Sequence, residues 1–229
     1  MSANGVLVTR PSPDAVQTAA LLAARGWVPV LAPLITIESR ALRAVEPCDA
    51  VLVTSGNALA ALGPGWHRTP LLAVGDRTAA RAAAAGFSDI HSADGDAAAL
   101  LALARTRCRP GANLLLPAGA GQGAALAAAL RGAGFRVHRR VAYAAQPVAA
   151  FPPAGGAALA EGWLVAALFL SALTAETFVR LLPPALAPRL AAVDALAIGT
   201  PTATALSCLP WRSVRVSAKP VLEQVLALL

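Results

Sequence analysis

The sequence predicts an α/β protein made of two similar domains, each built on a parallel sheet. Three observations carry this. Short apolar runs alternate with Ala-rich stretches along the whole chain. The runs are rich in Val and Leu and do not alternate with polar residues, as expected of strands buried on both faces of a parallel sheet. The pattern also repeats loosely: Leu72-Ala73-Val74-Gly75 followed by Thr78-Ala79 returns as Leu196-Ala197-Ile198-Gly199 followed by Thr202-Ala203.

In order along the chain, strands are expected at 6–9, 28–32, 50–54, 71–74, 113–116, 136–142, 165–170, 195–198 and 213–216. Between them, good helix formers predict helices at 14–24, 57–62, 77–85, 96–105, 123–131, 175–182 and 202–206. Gly26, Gly86 and Gly134 lie just past three of these helices, where a left-handed residue ends the last turn. Asp14 reads as an N-cap, with Gln17 completing a capping box.

A second repeat runs from a strand through a helix to Gly26-Trp27-x-Pro29-Val30 and returns at Gly134-Phe135-x-Val137. Two further strand-like stretches, 33–38 and 141–148, follow these two units. If they pair, the middle of the chain becomes an inserted domain. The expected division is 1–36 with 147–229 as one domain and 37–146 as the other, joined by a two-stranded β linker with the active-site cleft between them.

Composition narrows the function. The 229 residues suffice for one large or two small domains, and 57% hydrophobic against 14% charged residues excludes a disordered chain. No apolar run approaches the roughly 18 residues of a membrane span, and the N-terminus lacks a basic and then apolar leader. A soluble, cytoplasmic protein without membrane partners is expected. Cys48, Cys108 and Cys208 are odd in number and far apart, which suggests neither a disulfide framework nor a zinc site. The net charge of +7 invites a nucleic-acid partner, yet the basic residues are scattered, all but Lys219 are Arg, and aromatics are only 4%. No nucleic-acid partner is therefore expected; the Arg content suits carboxylate or phosphate ligands instead.

Candidate site residues lie where predicted strands run into helices. Thr9 and Arg10 end the first strand, at the strand end where open α/β sheets bind ligands. Thr54, Ser55 and Asn57 form a second such turn, Gly75, Arg77 and Thr78 a third, Ser171 a fourth, and Gly199, Thr200 and Thr202 a fifth. Hydroxyls and unpaired N–H groups at a helix start accept anions; ordinary capping is the competing reading. Gly119-Ala120-Gly121-Gln122-Gly123-Ala124 fits the loose dinucleotide pattern, so an NADP-dependent enzyme stays an alternative. The acidic residue such sites carry about 20 positions on is missing, and Arg139 and Arg140 stand there. Pro117 also interrupts the junction. Tyr143 is the only tyrosine. Its phenol could hydrogen-bond a leaving oxygen or act as a general acid; a packing aromatic is the other possibility. His67, His91 and His138 have no metal-ligand spacing, and no catalytic triad, carboxylate pair or phosphate-loop lysine can be assembled. The chemistry must ask little of ionisable side chains.

Taken in order, these residues resemble the uroporphyrinogen-III synthase family along nearly the whole chain. The resemblance rests on Val6-Leu7-Val8-Thr9-Arg10-Pro11, Pro33-Leu34-Ile35-x-Ile37, and Asp49 through Thr54-Ser55-x-Asn57-Ala58. It continues through Ala73-Val74-Gly75-x-x-Thr78-Ala79, Tyr143, Phe169-Leu170-Ser171 and Ala197-Ile198-Gly199-x-x-Thr202-Ala203. It implies two α/β domains on a two-stranded ladder, a monomer, and a reaction without cofactor. The implied substrate is hydroxymethylbilane, a linear tetrapyrrole bearing acetates and propionates, cyclised with inversion of ring D through a spiro intermediate. The resemblance gives Tyr143 the catalytic role and the strand-end turns the substrate. One departure stands out: family members often carry Arg after the strand ending near Leu116, where this chain has Ala118 and a glycine-rich loop. A non-catalytic, two-domain small-anion-binding protein is the alternative function.

Overall fold

The structure, a computed structural model, describes residues 4–42 and 47–229. Contacts divide the chain into two compact units, Met1–Thr36 with Gln146–Leu229, and Ile37–Ala145.

The first unit opens with β1 (Gly5–Val8), α1 (Asp14–Ala23) and β2 (Val28–Leu31). Strand β3 (Ile35–Ser39) leads into the second unit, which holds β4 (Ala50–Val53), a 3-10 helix Gly56–Ala61, β5 (Leu71–Ala73) and α2 (Asp76–Ala84). It continues with β6 (Ile90–Ser92), α3 (Ala97–Arg107), β7 (Asn113–Gly119), α4 (Ala124–Gly132) and β8 (Arg136–Pro147). The first unit is then completed by α5 (Pro153–Glu161), β9 (Leu164–Phe169), α6 (Ala172–Leu181), β10 (Asp194–Ala197), α7 (Thr200–Leu206), β11 (Ser213–Val216) and α8 (Leu222–Leu226).

The sheet of the first unit has the order β11-β10-β9-β1-β2, with parallel ladders throughout. That of the second has the order β3-β8-β7-β4-β5-β6, parallel from β8 to β6. Counted from β4, the second unit is wound 3-2-1-4-5, with its switch point between β4 and β7. The first unit has the same order when counted from β9, with β1 and β2 as its fourth and fifth strands. Its switch point lies between β9 and β1. Strands β3 and β8 run past one another: Val148 N–H donates to Leu34 O (3.0 Å) and Arg40 N–H to Ala142 O (2.7 Å), an antiparallel register.

Both faces of each sheet are covered, which explains the uninterrupted apolar strands. In β1, Leu7 joins one core and its neighbours Val6 and Val8 the opposite one. In β4, Leu52 and its neighbours Val51 and Val53 divide the same way. Phe169, Phe178 and Trp211 meet in one cluster, Phe169 edge-on to Phe178 with centroids 5.2 Å apart. On α1 the buried residues are Ala15, Thr18 and Leu22, one helical stripe. Gly26, Gly86 and Gly134 take positive φ past their helices as expected.

Several expectations need correction. Asp14 is not an N-cap; it is the first residue of α1, and its carboxylate pairs with Arg10 (2.7 Å) instead of closing a capping box. The segment expected as a helix at 57–62 is 3-10. Strand β6 and helices α5 and α8 were not anticipated, nor was the 3-10 helix Pro184–Ala192. Helix α5 contains Gly155, where a Cβ would come within 2.9 Å of Ala32. Glycine there lets the helix approach the chain leaving β2, at the cost of a weak helical signal.

At the start of β10, Asp194 accepts from Arg212 through both oxygens and from Ser213 Oγ at 2.8 Å. The Arg212 hydrogen bonds hold its carboxyl below the usual aspartate range, helped by Ser213 and the charge of Arg215. A depressed carboxyl contributes stability above its unfolded pKa and loses it as pH falls through the folded one. Asp194→Ala should cost about 1 kcal/mol near neutral pH, kept small because Arg212 is half-exposed. Denaturant titrations at about pH 7 and about pH 3 should show the gap to the parent chain closing in acid.

Candidate functional site

Parallel winding brings the strand C-termini of each unit to one edge, and ligands bind there, at the switch point. In the first unit that point is flanked by Thr9-Arg10 after β1 and Ser171 after β9. In the second it is flanked by Thr54-Ser55 after β4 and the glycine loop after β7.

The serine turns are capped starts. Ser171 is extended (φ −165°), and its Oγ accepts from Thr174 N–H at 3.2 Å. Ser55 (φ −150°) accepts from Asn57 N–H at 3.3 Å, and Asn57 Oδ1 in turn lies 3.5 Å from Arg81. The glycine turns form a second matched pair. Gly75 and Gly199 are both extended, and each carbonyl accepts from the third and fourth residues on: Thr78 and Ala79, and Thr202 and Ala203, at 3.0 to 3.1 Å. Their φ values of −163° and −176° suit any residue. A Cβ at Gly75 would meet nothing within 4 Å, and one at Gly199 only Pro201 at 3.9 Å. Neither backbone geometry nor packing demands glycine at these two positions.

Three expected contacts are buried. Thr9 is fully buried and donates to Leu168 O, fastening β1 to β9. Thr78 and Thr202 are only 8% and 3% exposed, at the base of their turns. Arg77 and Thr200 are exposed, and Thr54 is half-buried. Arg10 is turned onto α1, where it pairs with Asp14 and donates to Thr18 Oγ1 at 3.2 Å. It is neither a solvated loop charge nor an unengaged one.

Tyr143 is 6% exposed and packs in the core that holds Ala58, Leu59 and Leu62, the helix following Ser55 and its end. It pairs in register with Gly119, where a Cβ would strike the ring at 2.9 Å. The phenol donates to Gln122 Oε1 at 3.0 Å. The loop carrying Gln122 turns through Gly121 and Gly123, both at positive φ, and Arg139 holds its backbone by donating to Gln122 O at 2.8 Å. This loop therefore has the strand–turn–helix setting of a dinucleotide fingerprint. However, the space left by its first glycine is filled by the tyrosine ring. Pro117 is accommodated inside β7, beyond Leu115, the last residue paired with β4. Gln122 was not anticipated; the only hint was a single long polar side chain within a run of Gly and Ala.

Among the described residues no three His, Cys, Asp or Glu side chains come together as metal ligands, and no helix is long and apolar enough to cross a membrane. Burial, and then the charge of Asp49, push the Cys108 thiol up.

Two units of one strand order, each with capped turns at its switch point, define a duplicated, doubly wound α/β protein. Residues 16–227 match the family model described as uroporphyrinogen-III synthase HemD. The chain belongs to the uroporphyrinogen-III synthase family, and so is a lyase of heme biosynthesis acting on a tetrapyrrole. Its fold is shared with the uroporphyrinogen-III synthetase of Helicobacter pylori 26695, at a TM-score of 0.64 and 19% identity over 100% of this chain and 98% of that one. A mutant uroporphyrinogen III synthase from the extremely thermophilic bacterium Thermus thermophilus is 23% identical over 97% of this chain and 95% of its own; its TM-score of 0.45 carries no structural argument. Among curated proteins none matches the chain.

The Ser171 cap should be separable from the rest of its turn. Ser171→Ala should lower stability by about 1 kcal/mol, the usual loss of an N-cap, whereas Ser171→Asp should retain it. Thermal melts of the two variants decide this.

Proposed function

We propose that the chain converts hydroxymethylbilane to uroporphyrinogen III with its own side chains and backbone, without a cofactor. The pyrrole of ring A pushes its electrons toward the hydroxymethyl carbon, the C–O bond breaks, and the pyrrole N–H proton is given up to leave an azafulvene. The departing hydroxyl takes a proton and leaves as water. The substituted carbon of ring D then attacks, forming the spiro pyrrolenine, which fragments and recloses with ring D inverted. Because the pyrroles supply the electrons, the protein chiefly holds a flexible chain in a reactive geometry, a contribution of several kcal/mol.

The observation that carries this reading is Tyr143. It is the only tyrosine, its ring is fixed by the core, and its hydroxyl is held at the loop that flanks a switch point. A phenol O–H within hydrogen-bond reach of the leaving oxygen can act as its proton donor. The substrate carboxylates fall to the turns at Ser55, Gly75, Ser171 and Gly199, chiefly through backbone N–H groups. Thr54, Asn57, Arg77 and Thr200 contribute at their rims. Arg10, already paired with Asp14, acts by shaping its turn or by exchanging partners with a carboxylate. Thr9, Thr78 and Thr202 serve these turns from beneath. The open space at Gly75 and Gly199 favours close approach of a ligand to backbone. We further take the enzyme to be a cytoplasmic monomer with no nucleic-acid partner.

The deciding assay supplies enzymatically made hydroxymethylbilane and identifies the oxidised porphyrin. Uroporphyrin III is expected; isomer I alone, the spontaneous closure, refutes the reading. Tyr143→Phe should lower kcat by about 10²-fold, the low end for general acid catalysis, with folding intact by thermal melt. Gly199→Ala should raise KM severalfold while lowering stability by about 1 kcal/mol, since Gly is much the better N-cap. KM should also rise with ionic strength if carboxylates are what the turns bind.

A further inference from the structure

We infer that Gln122 is the positioning residue of the reaction: its amide sets which way the Tyr143 hydroxyl presents its proton. This rests on the proton-donor reading of Tyr143 and adds a second residue to it.

The loop is shaped to place this one amide. Gly119 leaves room for both the Tyr143 ring and Gln122 Oε1, since a Cβ there would fall 2.9 Å from the first and 2.8 Å from the second. Gly121 and Gly123 turn the chain at φ values of +74° and +79°, where other residues are strained. Arg139 donates to the Gln122 carbonyl at 2.8 Å and fixes the backbone from which the side chain reaches. The Ala120 N–H donates to Tyr143 O at 2.9 Å, so loop and tyrosine are tied at both backbone and side chain. Gln122 is itself exposed, so folding does not depend on its side chain.

In the structure the phenol donates to Oε1 at 3.0 Å. That arrangement commits the proton to the protein and leaves only lone pairs on the phenol oxygen to face a ligand. A glutamine has a second setting. Turning the amide by half a rotation puts Nε2–H against the phenol oxygen, which then accepts from the amide and keeps its own proton free for the leaving hydroxyl. One side chain thus holds the phenol in place in both settings, because an amide carries both an acceptor and a donor. A carboxylate at 122 accepts but cannot donate, so it would lock the first setting.

The test uses the full chain and exploits the single tyrosine. The intensity ratio of the tyrosine doublet in the Raman spectrum reports whether the phenol donates or accepts. It should change in Gln122→Leu and move toward the strong-donor limit in Gln122→Glu. With hydroxymethylbilane as substrate, Gln122→Leu should lower kcat about three- to tenfold, the loss of one neutral hydrogen bond, with little change in KM. Gln122→Glu should be slower than Gln122→Leu. In a Tyr143→Phe background, Gln122→Leu should have no further effect, since it acts only through the phenol.

An unchanged doublet in Gln122→Leu overturns the inference. So does an equal loss of kcat in both backgrounds, or a Gln122→Glu enzyme as fast as the parent. If Tyr143→Phe turns over like the parent, the proton-donor reading fails, and the positioning role of Gln122 fails with it. An impaired Tyr143→Phe beside an unaffected Gln122→Leu sinks the inference alone.

Discussion

Because every ladder among β1, β2, β9, β10 and β11 is parallel, each strand is reached from the last only by a crossover along a face of the sheet. Parallel pairing puts the strand ends on one edge and makes each of them the start of a helix or turn. It also covers both faces, so the strands must be apolar throughout. The candidate site residues inherit their places from this constraint. Ser55, Gly75, Ser171 and Gly199 all stand two residues past the end of a strand, in extended conformations that begin the next turn.

The same constraint explains what was readable. Strands buried on two faces announce themselves as apolar runs, and most were placed within a residue or two. Strand β6 escaped because Ile90-His91-Ser92 is an edge strand of intermediate exposure, with one apolar residue in three. Helix α5 escaped because of its paired glycines; the value of Gly155 lies in its close approach to Ala32 and Leu7, residues far away in sequence. Among site residues, the turns were legible because Gly and Ser before a helix are local signals. Their exposure was not: Thr9, Thr78 and Thr202 have the right chemistry for a ligand contact, yet tertiary packing buries them. Tyr143 was legible as the only tyrosine, whereas Gln122 became meaningful only once the loop brought it to the phenol.

The shared strand order does not bring equivalent turns. After β1, Arg10 and Asp14 close the switch-point turn with charge and brace it on Thr18. At the corresponding place after β7, glycines hold the chain open and an uncharged amide meets a phenol. A strong ion pair suits a fixed scaffold, because neither partner gains by turning. An amide against a hydroxyl differs little between its two orientations, and so leaves the phenol free to turn.

The permuted order of the first unit bears on how the chain is made. Strand β1 lies between β2 and β9, and Gly5 pairs with Leu164 across most of the sequence. As the polypeptide leaves the ribosome, residues 37–145 can complete their own sheet while β1 and β2 still lack β9, β10 and β11. Throughout that interval β1 offers a fully apolar strand with one open edge, the geometry most prone to pairing with the wrong chain. Closure of the first unit thus waits on the second, and β1 is among the last strands to be sealed.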